Sequence, residues 1–350
     1  MSLHKYKRKL WLDNHSRKIQ RLKTKTKQLK KQKGIRIYYE NNEAHIKNLT
    51  KNIPPEYINL EAPSTFSFKN ACEDTSKFFQ KVIDKRDSAN TKTAFHIDFS
   101  KVSNLSVDAL MYLIALMYDT YTCDKEDNIQ FAGNFPENED AFEIFKASGF
   151  TKYVKLRKSE IKPSTDNIQI ANGTKTDSEL VGKICEYIHN NSKLTRIDTI
   201  PLYNLIVELM NNTVHHAYGK DYSSNYSKNS WYLFSEKRQD SIVFVFLDTG
   251  LGIPSTVYKK WKEKINFTIQ DSFLIKSALE GEERTQTKLK NRGRGLPQIL
   301  ECCKSGLIDN AYVYSGKGYC TINKTDKDEI KATEMKNSIF GTLFSWEVII

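Results

Sequence analysis

The sequence contains no apolar run approaching the roughly 18 residues that a bilayer span requires, so no helical membrane segment is expected. It contains no CxxC pair, and none of its six cysteines (Cys72, Cys123, Cys185, Cys302, Cys303, Cys320) stands at zinc-ligand spacing from a histidine. They therefore read as reduced core thiols. Cys302 and Cys303 are adjacent, and on a helix they would point to different faces, which favours packing over redox chemistry. The first residues are charged and show no small-residue cleavage site after an apolar stretch, so no secretory leader is expected and the chain is placed in the cytoplasm. No internal repeat is visible.

The charge is unevenly distributed. Residues 1–34 carry thirteen Lys and Arg against the single acid Asp13, which accounts for the whole formal charge of +12 and leaves the rest of the chain neutral. Leu10, Trp11, Ile19, Leu22 and Leu29 are too sparse to bury a core, so this segment is expected to be a basic arm, mobile or helical only on a partner. Such an arm suits the phosphate backbone of a nucleic acid; it suits equally a solvated tail lying on acidic protein surface.

The remaining length suits two domains. After Gly34 the alternating residues 35–39 predict a strand. Residues 68–83 predict a helix, 93–99 a strand, 107–118 a strongly apolar helix, 129–132 a strand and 140–148 a helix, an α/β order. Within it stand His96-Ile97-Asp98-Phe99-Ser100, the helix from Val107, Gly133-Asn134 after a strand, and Ile144-Phe145-Lys146-Ala147-Ser148-Gly149-Phe150. With these pieces residues 90–157 resemble the STAS domain of anti-anti-sigma proteins and sulfate transporters. Where that family has Asp-Ser before its first long helix, this chain has Asn104-Leu105-Ser106-Val107-Asp108. Ser106 stands in place of the phosphorylated serine, and its favoured alternative role is that of a helix N-cap. Residues 157–175 are polar, end in Asn172-Gly173, and are expected to connect the two domains.

From residue 177 the pattern gives a helix to 189 and a second helix from about Pro201, whose Leu202, Leu205, Ile206 and Leu209 should face a core. Glu208 and Asn212 are four apart and share another face, so they can meet one ligand. Residues 241–247 form a nearly unbroken apolar strand that runs into Asp248-Thr249-Gly250-Leu251-Gly252-Ile253-Pro254. A carboxylate at the end of a buried strand needs a donor, and the exocyclic amine of adenine is one, whereas guanine presents a carbonyl there. Asn291-Arg292-Gly293-Arg294-Gly295-Leu296 precedes a helix over 297–304, an arrangement that offers backbone N–H groups to phosphate oxygens. Phe340-Gly341-Thr342-Leu343-Phe344 closes the series on a strand.

Taken in this order, the four motifs resemble the boxes of GHKL ATPases (gyrase, heat-shock chaperone, histidine kinase and mismatch-repair ATPases), over about half the chain. With the charge of the arm and the STAS resemblance, this leads to the expectation of an α/β chain made of a basic arm (1–34), a STAS-like α/β domain (35–160) and, from the GHKL resemblance, a Bergerat-fold ATP-binding domain (170–350) with a mixed sheet covered by helices. The GHKL resemblance also implies ATP and Mg²⁺ as cofactors. Asn212 would bind Mg²⁺ through its amide oxygen, and Glu208 would orient or deprotonate the nucleophile. Asp248 would bind the adenine amine, with Gly250 and Gly252 letting the backbone approach the base. Gly293, Arg294, Gly295 and Leu296 would cradle phosphate, Thr342 would complete water-bridged contacts to adenine, and the polar segment 255–290 would be an ATP lid. His215 and His216 read as packing or hydrogen-bonding groups, and no phosphoacceptor helical pair precedes the domain, which disfavours a sensor kinase. No segment after Thr342 supplies the γ-phosphate lysine of gyrase-like enzymes, for which Arg292 or Arg294 are the candidate substitutes, so hydrolysis is expected to be slow. The leading expectation is an ATP-driven switch, compatible with an oligomer, read out by the STAS-like domain on a protein partner and by the arm on nucleic acid. The alternatives are a serine/threonine protein kinase of the anti-sigma type and an ATP sensor without chemistry.

Overall fold

The computed structural model describes residues 35–40, 43–48, 56–89, 92–122, 129–153, 168–216, 230–261, 269–281, 295–323 and 330–350. The basic arm lies outside them. The chain divides into two units at Glu56 and Tyr57. In the first, β1 (Ile35–Glu40) and β2 (Glu43–Asn48) pair antiparallel, with Ile35 opposite Asn48 and Glu40 opposite Glu43.

The second unit is built on a five-stranded sheet. Its strands are β8 (Ile168–Gly173), β9 (Trp231–Lys237), β10 (Ser241–Asp248), β11 (Ile308–Ile322) and β12 (Ile330–Ile349), in the order β11-β12-β10-β9-β8. Neighbours run antiparallel throughout, so the mixed character expected of this sheet is absent among the described strands. β8 falls inside the stretch expected to be a polar connection. Ile168 and Ile170 recur at the two-residue period of a strand, and Gly173 pairs with Trp231, which makes this stretch an edge strand.

The central strand is buried on both faces, as its unbroken apolar run requires. Ile242, Phe244 and Phe246 enter one core, and Val245 and Leu247 enter the other. The first core is closed by helices α4 (Ser178–Asn191), α5 (Ile200–His216), α6 (Ile253–Trp261), α7 (Asp271–Glu280) and α8 (Gly295–Lys304). The Trp346 ring stacks between Phe244 at 5.1 Å and Phe344 at 4.5 Å between centroids.

The middle segment covers the other face. Strands β3 (Glu56–Glu61), β5 (Thr93–Asp98) and β7 (Ile129–Gly133) form a small sheet in which β5 and β7 run parallel, and β4 (Thr65–Phe66) pairs with β6 (Asn104–Leu105). Helix α1 (Phe68–Ser88) begins on the Ser67 cap, and α3 (Glu139–Ala147) begins on the Asn138 cap. Helix α2 (Val107–Thr122) is apolar all round because it lies between two layers: it touches β7 on one side and β9 and β10 on the other. Every residue from 109 to 116 is at most 1% exposed. Tyr232, Phe234, Leu247, Tyr314 and Leu343 of the large sheet share a core with Phe68, Phe79 and Tyr112 of the middle segment.

Polar contacts lock this face. Tyr314 donates its hydroxyl proton to the Phe68 carbonyl at 3.0 Å, the Phe340 N–H donates to Tyr112 Oη at 2.9 Å, and Lys69 Nζ meets Glu347 Oε1 at 2.9 Å. Residues 57–153 are therefore not a separately cored neighbour of the large sheet; they supply its second covering layer. Among the described residues no helix is long and apolar enough to cross a membrane.

Candidate functional site

The site is the end of the large sheet where β10 stops. The register sets Trp231, Asp248, Thr342 and Ser315 in one row across β9, β10, β12 and β11. Residues directly opposite one another project to the same face, and Trp231 belongs to the helix-covered core, so Asp248, Thr342 and Ser315 project to the helix side. The row passes from apolar to polar at Asp248.

Asp248 keeps part of its surface open although it lies deep among protein atoms. Burial raises its pKa to about 6, against the opposing effect of hydrogen bonds from the Gly250 N–H and from the side chain and backbone of Thr342. The Gly250 bond is 2.7 Å long. Among the described residues no Lys, Arg or His forms an ion pair with this carboxylate.

Two glycines let the backbone fold tightly around it. Gly341 has φ +70°, and a Cβ there would overlap the Asp248 carbonyl oxygen. Gly252 has φ +80° and turns the chain from the Asp248 loop into α6, whose first N–H, that of Ile253, donates to Ser315 Oγ at 2.9 Å. Thr249 fixes the other side of the loop: its N–H donates to the Ser230 carbonyl at 3.1 Å, and its Oγ1 accepts from the Ser230 N–H at 3.3 Å.

Helix α5 carries Glu208 and Asn212. Leu202, Leu205, Ile206 and Met210 are fully buried against the core that also holds Phe246 and Ile253, so α5 and the Asp248 loop wall the same face of the sheet. Glu208 and Asn212 are half-buried one turn apart, and neither makes a side-chain hydrogen bond among the described residues. The neighbouring Asn211 differs from them, because its Oδ1 accepts from Thr176 Oγ1 at 2.6 Å.

Of the phosphate motif, Gly295 and Leu296 open α8, and Leu296 packs on the helix-side core. Gln298 Nε2 donates to the Pro201 carbonyl at 3.4 Å, which ties the start of α8 to the start of α5. Gly293 and Arg294, with Asn291 and Arg292, lie outside the described residues. The expected lid is different in its described part. Val257 of α6 and Leu274, Ile275, Ala278 and Leu279 of α7 are buried in the core, so these helices are structural walls. The overall polarity of 255–290 hid the helical spacing of those apolar residues.

Ser106 immediately precedes α2, and its carbonyl accepts from the Leu110 N–H. Its hydroxyl donates to the buried Asp108 carboxylate. Burial pushes the Asp108 pKa up, while the N–H groups of Phe68, Lys69 and Ala109 donate to the same carboxylate. Among the described residues no cluster of His, Cys, Asp and Glu is arranged to hold a metal ion.

The sequence missed Ser315, which sits in Ser315-Gly316-Lys317-Gly318. The alternate glycines were the available signal, since they mark two of the three register slips of β11 against β12. No protein-family model matches this chain, and no curated protein compared with it matches either.

Proposed function

We propose that this chain is an ATP-binding protein of the GHKL class, a slow Mg²⁺-dependent ATPase that acts as a nucleotide-controlled switch. The observation that carries the reading is Asp248: a deep carboxylate, partly open, with no cationic partner among the described residues and with β12 drawn against it at Gly341. Such a group is unfavourable in the empty protein and gains from a neutral N–H donor in an aromatic edge. Adenine fits it, with Thr342 beside the carboxylate to hold a bridging water. Asn212 would hold Mg²⁺ through its amide oxygen and the nucleotide phosphates, and the bound nucleotide supplies the γ-phosphate as electrophile. Glu208, one turn away on the same face of α5, orients the attacking water or takes its proton. Gly293, Arg294, Gly295 and Leu296 would receive the phosphates at the start of α8.

Support for a readout comes from the contact of the middle segment with β12 at Phe340, two residues from Thr342. In this reading the STAS-like segment presents the state of the site to a protein partner. The basic arm binds nucleic acid with a log–log salt slope of about −0.7 to −0.9 per phosphate neutralised, and deleting residues 1–34 removes that slope. The protein works in the cytoplasm.

Incubation of the purified chain with γ-labelled ATP and Mg²⁺ tests the reaction. Slow release of label as free phosphate, abolished in Glu208→Ala while ATP is still bound, is the expected result. Label on protein would make the chain a serine/threonine kinase of the anti-sigma type. Binding without transfer would make it a sensor, and no binding at all contradicts the reading.

A further inference from the structure

We propose that Ser315 is a positioning residue of this site: its buried hydroxyl ties the first turn of α6 to Gly341 and Thr342 of β12 and so sets how Thr342 faces Asp248. Its consequence for nucleotide recognition rests on the function proposed above; its effect on Asp248 does not.

Ser315 is 0% exposed and lies on β11 directly opposite Thr342. The β11–β12 register slips between Ser315 and Gly316 and again between Gly316 and Gly318, so the regular ladder is interrupted beside the site. A side chain takes over there. Ser315 Oγ donates to the Gly341 carbonyl at 2.7 Å, accepts from the Ile253 N–H at 2.9 Å and lies 3.4 Å from Thr342 Oγ1.

A hydroxyl has one proton and two lone pairs. The Gly341 carbonyl can only accept and the Ile253 N–H can only donate, so the Ser315 proton is committed to Gly341. The Gly341 carbonyl is then satisfied without Thr342, and the Thr342 proton goes to Asp248, which takes a side-chain hydrogen bond from it. One hydroxyl thus joins three segments distant in sequence: 252–253, 315 and 341–342. The fit is close, since a Cβ on Gly252 would stand 2.6 Å from Ser315 Oγ.

Without Ser315 the Gly341 carbonyl competes for the Thr342 proton, and Asp248 loses a donor. A serine needed only for folding would change stability and leave Asp248 as it was. The test uses the full chain with Ser315→Ala, with Ser315→Cys, which keeps the volume and a weak donor, and with Ser235→Ala as control. Ser235 is a buried hydroxyl on β9 with no hydrogen-bond partner among the described residues. Two readouts are taken: the titration midpoint of the Asp248 carboxyl carbon by NMR without nucleotide, and the affinities for ATP and GTP.

In Ser315→Ala the midpoint should rise by about half a pH unit or more, with a smaller rise in Ser315→Cys and none in Ser235→Ala. ATP affinity should fall roughly tenfold, as loss of one buried charge-assisted hydrogen bond implies, with a reduced preference over GTP. If Ser315→Ala does not fold, Ser315→Cys carries the measurement. Unmoved midpoints in the Ser315 variants that fold would overturn the proposal. Equal ATP and GTP affinities in the unaltered chain would instead overturn the nucleotide reading, while the midpoints still decide the role of Ser315.

Discussion

Asp248 contributes a pH dependence of its own to the stability of the isolated protein. Its folded pKa of about 6 lies above the ordinary value of 3.8, so the folded state holds this proton more tightly than the unfolded one. Burial of the group therefore costs nothing below about pH 4, and the cost grows as pH rises through about 6. Asp248→Asn keeps an acceptor for the Gly250 N–H and removes the charge. Urea unfolding should find it more stable than the native chain by about 2 kcal/mol at pH 7.5, the shift being discounted for partial solvent access, with the gain vanishing near pH 4. A gain that persists at pH 4 would assign the effect to packing. The same group governs the ligand: an amine donates more strongly to the ionised carboxylate, so ATP affinity should rise from pH 5 to pH 7.5 by up to about tenfold. A flat calorimetric profile would mean that Asp248 does not touch the base.

At the scale of elements, the approach of β12 to β10 depends on Gly341. Alanine there combines a left-handed φ of 70° with overlap onto Asp248 and should cost roughly 2–4 kcal/mol. Gly182 on α4 is the contrast, with nothing within 4 Å of an added Cβ. Gly182→Ala should be neutral or stabilise by up to about 1 kcal/mol. Thermal unfolding of the two variants, moving in the same direction by the same amount, would refute the distinction.

These elements also show how far the sequence could be read. α5 is legible from apolar residues at helical spacing, α2 and β10 from long, nearly unbroken apolar runs, and the Asp248 loop from its glycines. The start of α5 and both ends of β10 fall within one residue of the expected limits. β8 was not legible, because four of its six residues are polar or small and its partner β9 lies more than fifty residues away. The row Asp248, Thr342 and Ser315 depends on registers between β10, β11 and β12, which are set by long-range pairing and by a bulge. Local pattern carries neither. The polarity of 255–290 as a whole masks α7, six of whose ten residues are buried, because the apolar spacing is confined to short stretches within it.

For the second unit as a whole, the shared core is the main consequence. The face of the large sheet that carries Tyr232, Phe234, Val245, Leu247 and Tyr314 is covered by α2 and its neighbours. A chain of residues 57–350 should therefore unfold in urea as one cooperative transition, with circular dichroism and tryptophan fluorescence coincident. A fragment of residues 168–350 would expose that face and should bind a hydrophobic dye or aggregate. Two separated transitions, or a soluble and cooperative fragment, would show that the middle segment is an independent domain.

The Tyr112 hydroxyl that accepts from the Phe340 N–H is the contact of this layer with the site strand nearest Thr342 among the described hydrogen bonds. The measurement closest to the central claim is calorimetric titration of the full chain with ATP and with GTP, each with Mg²⁺, at pH 7.5. ATP should bind with Asp248→Asn abolishing the heat, and GTP should bind at least roughly tenfold more weakly, because a carbonyl facing the carboxylate repels it. Equal affinities for the two nucleotides, or an Asp248→Asn variant that binds ATP as tightly as the native chain, would contradict the account.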